Sequence, residues 1–300
     1  MSPAQPAAGF PDREHDNLVL EPRDVQFDWS RLPMHWIPGE PMATHTINVL
    51  HLLLPEGERW FVRVFKQALP LITDDRLRED VLGFIGQEAI HAEAHQGVVD
   101  HLLAKGLDPG PYLRQVEWLF HRVLGDRPEF SEERARQHVV ERVAVIAAIE
   151  HFTAFLGDWV LNAHALDEVG SDPVMLDLLR WHGAEEVEHR SVAYDLLTHL
   201  DPSYVRRIRA LGIALPVLLG LWVRGARFLM GADPQPAGRQ RKATWRGYLA
   251  ASRRGLVPGL GTGLRSATRY LKRGYHPTQE GSTRQAIAYL ATSPAARAAH

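Results

Sequence analysis

From about Thr44 the apolar positions settle into the three-and-four spacing of an amphipathic helix, with Phe61, Val62, Phe65 and Leu69 on one stripe. Thr73-Asp74-Asp75 supplies N-cap chemistry for a second helix running to Gly106, and Asp108-Pro-Gly-Pro111 then punctuates the chain. Residues 112–125 predict a short aromatic helix. Ser131-Glu-Glu begins the next, which contains Val139 to Leu166 and is apolar almost all round, the mark of a buried helix. Ser171-Asp-Pro173, with Pro in the first turn, opens a fourth long helix to about Leu200. After Asp201-Pro202 an uncharged run from Ala210 to Val223 is bracketed by Arg206, Arg207 and Arg209 and by Arg224 and Arg227. Ala232 to Gly238 reads as a linker, residues 242–273 as a basic helical segment broken by glycines, and residues 281–300 as a small terminal helix and tail. No stretch of any length alternates with the period of a strand. The pattern predicts an all-α chain: an extended arm over 1–43, a helical bundle over 44–200 and a basic helical extension over 201–300, packed on the bundle.

The polar exceptions on the apolar faces carry the chemistry. The first helix offers Glu58 on the same stripe as its apolar residues; Glu56, on the opposite side, is the alternative. The second offers Glu88-Ala-Ile-His91, with His95 four residues on. The third offers Glu150, alone among acids between Glu141 and Asp158. The fourth offers Glu186-Val-Glu-His189, with His182 four residues before Glu186 and Glu185 competing for its place. At about 100° per residue, Glu88, His91 and His95 fall within an arc of roughly 60°, and His182, Glu186 and His189 within a similar one. A carboxylate on a buried apolar face costs several kcal/mol unless it is paired or coordinated. Glu150 has one bland alternative, an ion pair with Arg142. Four helices with the same anomaly point instead to a metal, because two Glu-x-x-His pairs plus two single Glu residues form the ligand set of dinuclear carboxylate bundles. The expected ligands are therefore Glu58, Glu88, His91, Glu150, Glu186 and His189. His95, His182 and Glu185 are expected as additional ligands or as partners behind the ligands.

Composition narrows the metal. The chain has no cysteine and sixteen histidines, which excludes thiolate sites and disulfides and leaves His and carboxylate donors suited to iron, manganese or zinc. Charge divides the chain. Residues 201–275 hold fifteen Lys/Arg against only Asp201 and Asp233, whereas residues 1–200 carry 17 basic and 33 acidic residues. Such a split suggests contact with an anionic surface or with the acidic body itself. The uncharged run is fourteen residues, short of the roughly 20 needed to span a bilayer. It predicts either a buried helix over the bundle or an interfacial helix flanked by lipid-binding arginines, so peripheral membrane contact through residues 206–273 is one expectation. The first sixteen residues show no basic-then-apolar leader pattern, and a cytoplasmic location, peripheral to the inner membrane face in the second case, is the default expectation.

At these residues the chain resembles a bacterial family of predicted metal-dependent hydrolases, a branch of the ferritin-like superfamily. The resemblance rests on Leu54-Pro-Glu-Gly-Glu58-Arg-Trp-Phe, Phe84-Ile-Gly-Gln-Glu88-Ala-Ile-His91-Ala-Glu-Ala-His95, Ala148-Ile-Glu150-His-Phe-Thr-Ala and Trp181-His-Gly-Ala-Glu-Glu186-Val-Glu-His189-Arg-Ser-Val-Ala-Tyr-Asp195, with Gly274-Tyr-His-Pro277 later on. The ligand spacing is also similar to ribonucleotide reductase small subunits and to di-iron N-oxygenases, which carry an additional histidine as His95 or His182 would be here. The resemblance implies a ferritin-like four-helix bundle with a dinuclear metal site and additional C-terminal helices. The expected function is a di-iron enzyme that activates dioxygen to oxidise an organic, apolar substrate, served by an electron donor. The alternatives are a metal-dependent hydrolase using metal-activated water, and a non-catalytic metal-binding protein. A homodimer is within the expectation, and nucleic acid is not.

Overall fold

Proline at a helix start, short polar caps and long apolar faces recur down this chain, and each sets the length of an element. The computed structural model describes residues 18–235 and 242–299. The first part of the expected arm and part of the expected linker lie outside them. Helix α1 spans Pro41–Ala68, with Pro41 in its first turn, and begins three residues before the predicted start. Pro55 sits inside it and removes the N–H that would bond the carbonyl of His51. A short turn at Leu69–Leu71 leads to α2, Asp75–Ala104, whose cap is Asp74 accepting from the Leu77 N–H at 2.9 Å, as the sequence predicts. Helix α3 spans Gly110–Trp118 and widens into a π-helical turn over Leu119–Val123.

Helix α4 spans Glu132–Leu161, ending before the expected Leu166; the residues beyond fold back as the single turn α5, Ala165–Glu168. Asp172 caps α6, Pro173–His189, and the chain breaks at Arg190 before α7, Val192–Leu200. The fourth long helix is thus two helices. The break follows His189 directly, and the buried Arg190 side chain bonds Pro277 O at 3.1 Å and Thr283 Oγ1 at 3.1 Å, tying this corner to the C-terminal part. Helix α8 spans Tyr204–Ala232, followed by α9, Trp245–Arg253, α10, Leu260–Tyr270, α11, Thr283–Leu290, and α12, Pro294–Ala298. Among the described residues there is no strand.

Two antiparallel pairs, α1 with α2 and α4 with α6, face each other, and α7 extends the second pair against α2. The core between them is aromatic at one end, where Trp60, Phe65 and Phe84 are buried. The pair α4 and α6 crosses at Gly157 and Gly183. A Cβ on Gly157 would come within 2.4 Å of the Gly183 carbonyl oxygen, so nothing larger fits without moving a backbone. That crossing lies one turn from Glu186 and two from Glu150 and sets how closely their helices approach. Helix α8 lies across α1 and α4, and α11 packs on α6. The tetrad Gly274-Tyr-His-Pro277 pins the C-terminal part to the bundle. Tyr275 Oη meets His151 Nδ1 at 2.7 Å, and His276 Nε2 meets Asp195 Oδ1 at 3.0 Å.

Candidate metal centre

The apolar faces of α1, α2, α4 and α6 deliver their carboxylates to one place. Glu58, Glu88, Glu150 and Glu186 are each at most 2% exposed, and His91 and His189 are fully buried beside them. Two groups of ligand atoms emerge, each within 4.8 Å of one another: Glu58, His91, His182 and Glu186 in the first, and Glu88, Glu150 and His189 in the second. Glu88 and Glu186 lie between the two. Glu88 Oε1 is 3.6 Å from His91 Nδ1 and 3.3 Å from His189 Nε2; Glu186 is 3.6 Å from His91 Nδ1 and 3.5 Å from His189 Nε2.

These buried groups lack the hydrogen bonds they need. Both oxygens of Glu58 and of Glu88, Oε2 of Glu150 and of Glu186, Nδ1 of His91 and Nε2 of His189 have no hydrogen-bond partner. Buried polar atoms are almost always satisfied, and eight of the thirteen exceptions among the described residues belong to this one cluster. Lone pairs converging on a common centre fit a cation rather than a mutual hydrogen-bond network. The proton affinities agree in direction. Burial, then the neighbouring carboxylates, pushes Glu58 well above the usual carboxylate range. Burial and Glu186 push Glu88 up to about 8, and the same two influences push Glu150 up to about 8. Burial works against ionisation of Glu186 too, but the imidazoles of His189 and His182 override it and hold this carboxyl well below its ordinary range. Burial disfavours the charged form of His189, yet Glu186, Glu150 and Glu88 together raise it well above the usual histidine value. Four acids this close cannot all ionise without positive charge among them.

Behind the convergent atoms stands a set of partners that fixes each ring. His91 turns Nε2 to Glu185 Oε2 at 2.9 Å, leaving Nδ1 for the centre. His189 turns Nδ1 to Gln87 Oε1 at 3.0 Å, leaving Nε2 for it. Gln87 donates to Glu188 at 3.3 Å, and Arg23 of the arm bonds Glu188 at 2.9 Å and Glu185 at 2.6 Å. The guanidinium of Arg23 therefore closes a circuit that holds both imidazoles through their far nitrogens. His182 meets Glu186 Oε1 at 2.8 Å and Glu58 Oε1 at 3.5 Å through Nε2. Its Nδ1 lies 3.0 Å from His95 Nε2, and His95 Nδ1 lies 2.7 Å from His51 Nδ1. With His182 Nε2 directed inward, His182 donates Nδ1–H to His95 Nε2, and His95 donates Nδ1–H to His51 Nδ1, where the series ends. Burial pushes His51 down to about 3 and His95 well below the ordinary range, so this file of rings is neutral.

The structure thus brings together all six expected ligand side chains and adds His182. His95 faces away from the carboxylates and positions His182. Glu185 does not take the place of Glu186; it accepts from His91. Glu56 pairs with Arg63 at 3.0 Å on the far side of α1, and Arg142 bonds Asp126 and Gln67, so neither alternative pairing forms. Arg23, His51 and Gln87 escaped the sequence reading. His51 stands seven residues before Glu58, on the same helix face, and that spacing was the available signal. Arg23 had none, because the arm has no periodicity. A separate cluster, His35 and His45 sharing Asp233 Oδ2 at 2.6 and 3.1 Å, ties the arm and α1 to the end of α8.

A cleft of about 590 Å³ reaches His182 and Glu186 from the surface. Its walls are mainly apolar side chains of α1, α4, α6, α8, α9 and α10, among them Ile47, Phe152, Leu179, Leu215, Trp222 and Leu264.

Residues 21–281 match the family described as predicted metal-dependent hydrolases. The chain belongs to this family. The matched span contains every residue of the centre, from Arg23 to His189, as well as the Gly274-Tyr-His-Pro277 tetrad. No curated protein and no solved structure matches the chain. For this predicted metal-dependent hydrolase, dependence on metal therefore rests on two independent footings: family membership, and buried donor atoms that converge without partners.

Proposed function

We propose that Glu58, Glu88, His91, Glu150, His182, Glu186 and His189 would hold two metal ions in a ferritin-like pairing of helix hairpins, and that the protein so loaded would use dioxygen to oxidise an apolar substrate admitted by the cleft. The observation that carries the proposal is the set of unpartnered buried oxygens and nitrogens, contributed by four helices and facing one spot. Four carboxylates balance the charge of two divalent ions, and the set is that of di-iron and di-manganese carboxylate bundles. Bound there, two iron ions would supply the electrons and the open position needed to activate dioxygen; manganese suits the same donors.

The chain supplies the rest. The Glu185–Arg23–Glu188–Gln87 circuit holds His91 and His189 in one tautomer and orientation. His95 and His51 do the same for His182 while remaining neutral. The apolar cleft excludes water and selects a substrate that carries no charge at its reacting end. Of the cleft-lining residues, only His182, Glu186, Arg227 and Tyr248 bear a titratable group.

Hydrolysis is the second reading, and the family's description favours it. Two metals held by these residues would supply Lewis acidity for activating water. In this chain the proton for a leaving group would then have to come from a ligand, since the cleft offers no acid outside the ligand set beyond Tyr248 and Arg227. A storage protein, the third reading, has no use for an apolar cleft ending at the metals.

The deciding experiment loads purified protein with Fe(II) without oxygen, then mixes it with oxygenated buffer. Oxidation predicts a transient visible absorption and oxygen uptake. A protein that takes up zinc, stays colourless and cleaves aryl esters in proportion to its zinc content supports hydrolysis instead.

A further inference from the structure

Helix α8 is long and apolar enough by length and composition to cross a membrane, yet it lies on the bundle, and only 28% of its most apolar eighteen-residue window is buried. It is therefore not a core helix, the bland expectation from its composition. The large apolar side chains left exposed gather in one part of the chain. Of the fifteen in the described residues, nine lie between Val205 and Leu271. Four of these, Leu219, Trp245, Leu260 and Leu264, belong to the walls of the cleft, so the apolar surface surrounds its mouth. Contiguous exposed apolar surface of this kind marks an interaction site.

Charge says what sits there. Between Val205 and Leu271 the chain has one acid, Asp233. Some of the basic residues are engaged: Arg206 and Arg209 pair with Glu141, Arg254 with Glu40 and Arg269 with Glu280. Others are not. Arg227, Lys242, Arg246, Arg253 and Arg265 are exposed and pair with no acid among the described residues. Apolar and aromatic side chains at a cleft mouth, ringed by unpaired cations, have the composition of a surface that inserts shallowly between anionic headgroups. Trp245, 56% exposed at the first position of α9, has the placement of an interfacial anchor.

We propose that the face formed by α8, α9 and α10 docks on an anionic lipid bilayer, so that the cleft opens into the acyl layer and draws an amphiphilic substrate from it. The claim about substrate rests on the cleft leading to the proposed metal pair. The claim about docking does not, and the test separates them.

Full-length protein, metal-loaded and metal-stripped, is co-sedimented with vesicles of phosphatidylcholine alone and of phosphatidylcholine with phosphatidylglycerol. Both forms are expected to bind the anionic vesicles, about tenfold more weakly when salt rises from 50 to 500 mM, and to leave the neutral vesicles in solution. The double variant Leu260→Asp/Leu264→Asp and the double variant Arg246→Glu/Arg265→Glu, each folded by circular dichroism, are each expected to lose about tenfold in binding. Brominated acyl chains are expected to quench the fluorescence of the wild type more than that of Trp245→Phe. Absence of binding to anionic vesicles at low salt overturns the proposal. So does binding that the Leu260/Leu264 variant leaves unchanged, or sedimentation of the free protein as a dimer that the same variant dissociates, which assigns the face to a second copy. If docking holds while the metal sites stay empty under every loading condition, the docking surface stands and the proposed function falls.

Discussion

The bundle centre and the α8–α10 face break the ordinary distribution of side chains in opposite directions. In the first, acids and imidazoles are buried where aliphatic residues belong; in the second, aliphatic and aromatic residues lie exposed where charges belong. Each inversion costs free energy, and each sits at one end of the same cleft. The centre is built from within: four helices and one glycine crossing set its walls, and a circuit of hydrogen bonds orients His91 and His189. The face is an open surface that carries unpaired cations and borders the cleft. Precision belongs where bonds would be made, and tolerance where a fluid partner would be met.

The largest effect is expected from the centre's own acids. Glu88→Ala and Glu186→Ala each remove a carboxylate that stands between the two groups of ligand atoms, so each should lose at least one metal ion and all measurable turnover. Full metal content in both variants would show that these acids are not ligands. Next comes the crossing. Gly183→Val drives a side chain into the Gly157 backbone and should cost about 3 kcal/mol, read as a drop in melting temperature, together with loss of metal. The same substitution at Gly220 on α8, where an added Cβ meets nothing, should change stability by less than about 1 kcal/mol, the level of a Gly-to-Val propensity change.

Arg23→Gln should weaken metal binding by about 10- to 100-fold although Arg23 touches no ligand atom that faces the centre. Glu185→Gln should do likewise, whereas Glu93→Gln, whose parent pairs with Arg59 on the surface, should do nothing. Equal effects from Glu185 and Glu93 would remove the distinction between the circuit and the solvated acids. His95→Gln should alter reactivity with oxygen more than melting temperature, because it releases His182 without opening the core to water.

The smallest effect is the pH dependence of the metal-free protein. Glu88 and Glu150 have folded pKa values of about 8 against 4.5 unfolded, so their neutral forms favour the fold below pH 4.5 and that contribution is lost as pH rises towards 8. His189, raised well above 6.5, acts in the same direction. The buried neutral rings of His51, His95 and His182 act the other way, gaining stability as pH rises through 6.5, so the carboxyls decide the sign only above about pH 7. Metal-free protein should therefore melt lower at pH 8 than at pH 7, and metal should reverse the trend, since binding displaces those protons. A metal-free melting temperature that rises between pH 7 and pH 8 would show that the carboxyl cluster is not compressed as described.

Much of this was legible in the residues. Helix-period stripes mark α1, α2, α4 and α6, and the polar exceptions on those stripes are Glu58, Glu88, His91, Glu150, Glu186 and His189. Local rules failed where tertiary contacts decide. The break after His189 depends on buried Arg190 reaching Pro277 and Thr283, far along the chain. Periodicity put His95 and His182 on the right faces but could not say which turns inward; their contacts with His51 and Glu186 decide that. Arg23 lies in a segment without periodicity, and only the fold brings it to Glu185 and Glu188. The uncharged run in α8 left two readings open, because composition does not say which face of a helix is covered.

The most direct test counts and locates the ions. Protein from iron-supplemented growth, analysed for metal and then crystallised for anomalous scattering at the iron edge, should hold about two ions per chain, as this donor set binds elsewhere. Both peaks should lie among Glu58, His91, His182, Glu88, Glu150, Glu186 and His189, with the carboxylates of Glu88 and Glu186 between them. A single peak, or ions found only at the His35–Asp233–His45 cluster while the buried carboxylates remain free, would contradict a dinuclear centre in this bundle.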